Sequence, residues 1–215
     1  MLTQRDAIMH TFIDLSLPIT DLMPVYPSDE SPHLLKVNNL ARDGFNNFSL
    51  SANMHIGTHI DGPMHLTQSQ MFLNEISLEQ YVGIGCILNA VGKNNISLTT
   101  EYELLVQPQS IVLLYTGMSS LFGSKEYFID YPTVSKELAQ LFIKRQVKMV
   151  CIDSPSPDRH PFDIHKLLLE NDILIAENLT NLDKLLLIKK FEVIALPLKI
   201  HADSSPARIV ARKLE

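Results

Sequence analysis

The stretch from His55 to His65, HIGTHIDGPMH, gathers three of the chain's eight histidines and one aspartate within eleven residues. His55 and His59 are four apart, which on a helix would put both on one face. Gly57, the β-branched Thr58 and Ile60, and Gly62-Pro63 all oppose a helix, so a strand end running into a tight loop is expected. Gly57 lets the backbone fold closely enough for two imidazoles to converge, and Pro63 stiffens the far side. Two imidazole nitrogens and the Asp61 carboxylate make a donor set suited to Zn²⁺, with Mn²⁺, Fe²⁺ and Co²⁺ compatible in ligand type. No cysteine is near, which disfavours a closed thiolate site, and three protein ligands leave positions open for water or substrate. His65 reads either as a further ligand or as an unligated imidazole acting as general acid or base. The competing reading of the stretch is a hydrogen-bonded polar loop.

Two distant residues carry a related signal. Glu177 interrupts the apolar run ILIAENL, where an unpaired carboxylate would be costly to bury. Its partner is either a metal or a nearby Lys or Arg. His165 stands twelve residues before it. His10 and His33 lie in polar segments and read as surface, whereas His160 and His201 either line a cleft or face water.

The elements that must position these groups are legible in outline. FIDLSLPI (12–19) reads as an opening strand, followed by an extended loop marked by Pro18, Pro24 and Pro27. HLLKVNNL and NFSLSANMHI read as strands joined at Asp43-Gly44, the second leading straight into His55. YVGIGCILNAV, SIVLLYTG, VKMVCID, DILIAEN and FEVIALPLKI are apolar enough for buried strands, and SPARIVARKL reads as one more. Residues 134–146 place Val134, Leu138, Leu141 and Phe142 on one helical stripe. A short helix is expected around DIHKLLLEN and a leucine-rich one near 181–190. Strands dominate the first half and alternate with helices in the second, which argues an α/β domain around a central mixed sheet.

With 215 residues and no linker or repeat, the chain reads as one domain, 1–215. A formal net charge of −6 without any long Lys/Arg run argues against a nucleic-acid partner and for a small molecule. MLTQRDAIMH lacks the apolar core of a secretory signal, and no apolar run is long enough for a spanning helix. Cys86 and Cys151 sit inside apolar runs and read as core residues of a reduced, cytoplasmic protein without a membrane partner.

HIGTHIDGPMH resembles the H-x-G-T-H-x-D-x-P-x-H signature of the cyclase-type metal-dependent hydrolases, a family that includes bacterial kynurenine formamidase and isatin hydrolase. The segments FIDLSLPITDLMPVYPSD, SIVLLYTG, VKMVCIDSPSPD, HKLLLENDILIAENL and ALPLKIHADSSPARIVA resemble that family in the same order, so the likeness covers nearly the whole chain. It implies a swivelling β/β/α fold, a homodimer or homotetramer, and two metal ions per subunit, Zn²⁺ with Mn²⁺ as the alternative. It further implies that His55, His59 and Asp61 hold the first ion. Asp61 and Glu177 would bridge to a second, held also by His165, and His65 would be the general acid/base. The implied reaction is hydrolysis of a small non-peptide amide by metal-activated water, with N-formylkynurenine the leading substrate. Lactam or lactone opening of the isatin-hydrolase type is the alternative, and a metal-binding member without turnover a third reading. Formamidases of the family commonly carry Trp in a Pro-x-Trp-Pro segment. This chain has no Trp and offers Tyr26 in PVYPSD as the aryl-binding residue, while Met118 follows Thr-Gly where an aromatic is often found.

Overall fold

The computed structural model describes residues 11–27 and 29–214. His10 lies outside them. The strands are β1 (Phe12–Asp14), β2 (His33–Asn38), β3 (Asn47–Ser51), β4 (His59–Asp61), β5 (Val82–Asn89), β6 (Asn95–Ile96), β7 (Ile111–Tyr115), β8 (Thr133–Val134), β9 (Met149–Ile152), β10 (Leu174–Glu177), β11 (Phe191–Pro197) and β12 (Ser204–Lys213). The helices are α1 (Leu40–Asp43), α2 (Thr100–Leu105), α3 (Lys136–Lys144) and α4 (Asp163–Leu169).

The main sheet runs β1-β12-β11-β5-β7-β9-β10-β4. β5, β7, β9 and β10 are parallel, and antiparallel strands flank them on both sides. Residues of β7 and β9 alternate between two apolar layers. Val112, Leu114, Val150 and Ile152 meet Leu138, Phe142 and Leu168 from α3 and α4. Ile111, Leu113, Met149 and Cys151 meet Leu15, Tyr81, Phe191 and Ile209 on the other face. Burial on both faces explains why these strands read as continuous apolar runs. The result is the expected mixed α/β architecture around a mixed sheet.

β12 is the long strand that closes the sheet. Its first residues pair with β4, its remainder with β11, and its far end with β1. β4 is thereby held on both edges, by β10 and β12. The β2–β3 hairpin stands apart as its own two-stranded sheet. Leu35, Val37, Leu40, Phe45, Phe48 and Leu50 are exposed along it. Among the described residues, no helix is long and apolar enough to cross a membrane.

Several elements differ from the sequence reading. The opening strand is three residues long, with Ser16 forming an isolated bridge to Leu179. α1 is inserted before the expected Asp43-Gly44 turn, and Gly44 ends it in the left-handed region at φ +80°. Val134 is buried but belongs to β8, so the helical stripe begins at Leu138. The expected helix near 181–190 is a single 3₁₀ turn, Leu182–Leu185. Leu182 and Leu185 pack into the core there, so this leucine pattern marks a buried turn. Cys151 is buried, Cys86 half-buried, and both are free thiols.

Candidate active site

β4 does most of the positioning. His59 and Asp61 are two apart on a strand and so share one face, while Ile60 points into the opposite apolar layer. On β10, Glu177 is the cross-strand partner of His59. His55 lies on the bend before β4, where Gly57 takes φ +53°. The Asn178 amide donates to the Gly57 carbonyl (3.0 Å), and Thr58 donates to the Asn178 carbonyl (2.6 Å), tying this bend to the end of β10. His165 comes from α4 on the same side of the sheet. Pro63–His65 forms a 3₁₀ turn after β4. The stretch is non-helical as expected, but the strand expected to lead straight into His55 ends at Ser51, and the motif carries a short strand of its own between the bend and this turn.

These side chains converge. The His165 Nε2 is 3.0 Å from Glu177 Oε1 and 3.9 Å from Asp61 Oδ2. The His59 Nε2 is 3.4 Å from Glu177 Oε2 and 3.6 Å from Asp61 Oδ1. The His55 Nδ1 is 3.0 Å from Asp61 Oδ1. Ligand atoms of His55, Asp61 and His65 lie within 4.8 Å of one another, as do those of His59, Asp61 and Glu177. Asp61 is common to both groups. No Lys or Arg pairs with Glu177 among the described residues, which removes the simple salt-bridge reading.

The other nitrogen of each of the three close imidazoles is engaged from behind. His59 donates through Nδ1 to the Gly57 carbonyl at 2.9 Å. His165 donates through Nδ1 to Asp158, whose other oxygen accepts from the Ile164 and His165 backbone amides. His55 approaches Asp203 Oδ2 at 3.1 Å and Ser204 Oγ at 2.9 Å through Nε2. Metal-ligating histidines are oriented in this manner, with the second N–H given to a carbonyl or carboxylate.

Charge and burial test whether a cation fits. Both oxygens of Asp61 and the Nε2 of His59 are buried without a well-aligned hydrogen bond, although His55 Nδ1 approaches Asp61 Oδ1 to 3.0 Å. Leaving such groups unpaired costs several kcal/mol in aggregate, roughly 1–3 kcal/mol each. Ligand atoms of His59, Asp61 and Glu177 lie within 4.8 Å of one another, close enough for a divalent ion to serve them together. Burial opposes charge on His55, but Asp203 and Asp61 outweigh it and lift its pKa to about 10. Burial likewise opposes charge on His165, and Asp158 and Glu177 lift its pKa to about 10. Burial works against the Asp61 carboxylate, yet the His59 and His55 imidazoles hold it well below the usual range.

A cleft of about 270 Å³ opens over these groups, walled by Val25, Tyr26, Phe122, Phe128 and Phe162. Tyr26 meets the Phe128 ring edge-on at 6.4 Å, and its hydroxyl is 3.4 Å from that of Tyr131. His65 also lines the cleft. Met118 is buried behind it with Tyr127 and Tyr131. His33 is exposed, His160 is exposed in its loop, and His201 stacks on Phe72, so none of the three enters the site.

The profile of the Cyclase family matches residues 13–159. The chain belongs to the cyclase family. An uncharacterized protein of Methanocaldococcus jannaschii is 32% identical over 197 residues, covering 91% of this chain and 97% of its relative. The kynurenine formamidase of Bacillus cytotoxicus is 29% identical over 212 residues, covering 94% and 98% of the two chains. Isatin hydrolase A from Labrenzia aggregata, solved with benzyl benzoate, superposes with a TM-score of 0.84 at 22% identity, covering 95% of this chain and 94% of the other.

Within this cyclase-family site, sequence reading missed the supporting residues. Asp158, Asp203 and Asn178 each touch a residue of the site. Asp153 is buried at the end of β9 and accepts from the Thr116 and Gly117 amides, fixing the Thr-Gly turn. Asp158 and Asp153 do fall inside the quoted motif CIDSPSPD, a signal that could have marked them. Asp203 likewise falls inside the family-like segment ALPLKIHADSSPARIVA, though in a polar bend with no periodicity of its own.

Proposed function

We propose that this chain is a divalent-metal-dependent hydrolase of a small non-peptide amide, with N-formylkynurenine as its leading substrate. The observation that carries the reading is the pair Asp61 and His59, buried with ligand atoms that lack a well-aligned hydrogen bond and lie close to Glu177. The donors are imidazole and carboxylate, and neither cysteine lines the cleft, a set suited to Zn²⁺ or Mn²⁺ at an open site rather than to a closed thiolate site. His55, His59 and Asp61 would hold one ion, and Asp61, Glu177 and His165 a second.

An ion bound there supplies Lewis acidity toward a carbonyl oxygen and lowers the pKa of water. The protein's own residues do the rest. The apolar walls exclude bulk water from the reacting amide, which strengthens every charge interaction inside. Tyr26 and the phenylalanines offer flat faces to an aryl group. His65 accepts a proton at the ring nitrogen facing the cleft and passes it to the departing amine as the C–N bond breaks. For an N-formyl aryl amine the products are formate and the free amine.

The kynurenine formamidase of Bacillus cytotoxicus, related over nearly the full length of both chains, supports this substrate class. Hydrolysis of N-formylkynurenine, isatin and simple lactones by the Zn²⁺-loaded protein, beside an EDTA-treated control, tests it. Turnover of isatin alone replaces the formamidase reading with lactam opening. No turnover of any of them leaves a metal-binding family member without activity.

A further inference from the structure

We propose that Asp203 is the positioning residue for His65, selecting its Nδ1–H tautomer so that Nε2 presents a free lone pair to the cleft. This rests on His65 being the proton carrier of the proposed reaction. One carboxylate oxygen, Asp203 Oδ2, is 3.2 Å from His65 Nδ1 and 3.1 Å from His55 Nε2. The two rings lie 4.2 Å apart, so a single anion serves both. Among the described residues no Lys or Arg pairs with Asp203, and its charge is directed at the two imidazoles.

A neutral imidazole carries one N–H, and its place is set by the stronger acceptor. A carboxylate at Nδ1 draws the proton there and leaves Nε2 basic. When Nε2 takes up a proton, the same carboxylate faces the positive ring and steadies it. The arrangement is the orienting half of an acid–base dyad. His55 is oriented from the same oxygen, with Nδ1 left toward Asp61. Asp203 thus aligns a metal-facing imidazole and a proton-carrying one together.

The backbone around Asp203 is fixed tightly enough for this task. The Gly62 amide donates to the Asp203 carbonyl at 2.9 Å. A side chain at Gly62 would place its Cβ 3.0 Å from that carbonyl oxygen, so glycine is what permits the approach. The next residue, Ser204, is the cross-strand partner of Asp61. The carboxylate is therefore referenced to β4 through the sheet and to the His65 turn through Gly62.

The test uses the Zn²⁺-loaded, ¹⁵N-histidine-labelled protein, with the His65 signals assigned by their loss in His65→Gln. Wild type should show protonated Nδ1 and bare Nε2 on His65. In Asp203→Asn, whose amide can donate to Nδ1, the tautomer should invert. Its kcat should then fall about 100-fold or more, with KM within a few-fold and zinc content as in wild type. A wild-type His65 protonated at Nε2 overturns the proposal even if the variant does not fold. So does an Asp203→Asn protein that keeps the wild-type tautomer, or one that loses its zinc. The tautomer is read without substrate, so a wild-type protein inactive on every amide overturns the proposed function while the position of the proton still decides the role of Asp203.

Discussion

Glu177 and His59 face each other across the β4–β10 ladder, and their side chains meet at 3.4 Å with no Lys or Arg paired to either among the described residues. A carboxylate and an imidazole so placed belong to a site that needs a third party. Removing Asp61, the residue common to both ligand groups, should abolish metal binding and activity together. Metal analysis of Asp61→Ala alongside its turnover checks this, and an active Asp61→Ala enzyme sinks the scheme. Wild type should return about two equivalents of metal and Glu177→Ala fewer. About one equivalent in both proteins makes the site mononuclear.

His65 lines the cleft and lies beyond the backbone turn that follows Asp61. His65→Ala should lower turnover by about 10²–10⁴-fold while metal content stays near wild type. Loss of metal in that variant makes His65 a ligand.

The raised pKa values of His55 and His165, each about 10, fix the sign of a pH dependence in the metal-free protein. A folded-state value above the unfolded value of about 6.5 contributes stability that is complete below that pH and is lost as pH rises toward 10. The Tm of EDTA-treated protein should therefore fall between pH 7 and pH 10. Metal uptake must displace these protons, so apparent affinity should rise across the same window, with roughly one to two protons released per binding event. Calorimetry in buffers of different ionisation enthalpy measures the release, and a Tm that climbs with pH contradicts the assignment.

Tyr26 is half-buried at the cleft wall, edge-on to Phe128. Loss of one aromatic contact of about 0.5–1.5 kcal/mol should raise KM for an aryl amide about 2- to 10-fold in Tyr26→Ala. Tyr26→Phe should stay close to wild type. A fall in kcat with unchanged KM would instead place Tyr26 at the reacting atoms.

The β2–β3 hairpin carries six exposed large apolar side chains and is a separate two-stranded sheet. A lone hairpin is at best marginally stable in water. Covering it in a homo-oligomer is the expected solution, and Phe48→Asp with Leu50→Asp should shift the mass in light scattering down to the monomer. A wild-type protein that is already monomeric refutes this.

The site was legible in sequence wherever chemistry and local pattern coincide. His55, His59, Asp61 and His65 sit within one short stretch, and Glu177 stands out because a carboxylate breaks an apolar strand. Asp203 could not be read that way. It is opposed to His65 only because β12 pairs with β4 across more than a hundred residues. The leucines at 182–187 misled for a related reason. Their spacing suits a helix, but tertiary burial of Leu182 and Leu185 is satisfied by a single turn. The α1 insertion in the hairpin was hidden because Asn39 caps a helix as readily as it makes a turn.

β4 has three residues and is clamped on both edges, which bears on how the chain avoids misassembly. A slip by one residue would send Ile60 into the cleft and turn His59 and Asp61 into the apolar layer on the opposite face. Burying those two groups there, among apolar side chains and away from the facing His55, His165 and Glu177 side chains, carries a large desolvation penalty. The neighbouring alignments are thus far less stable than the native one. The ligand pair acts as a proofreading mark for closure of the sheet.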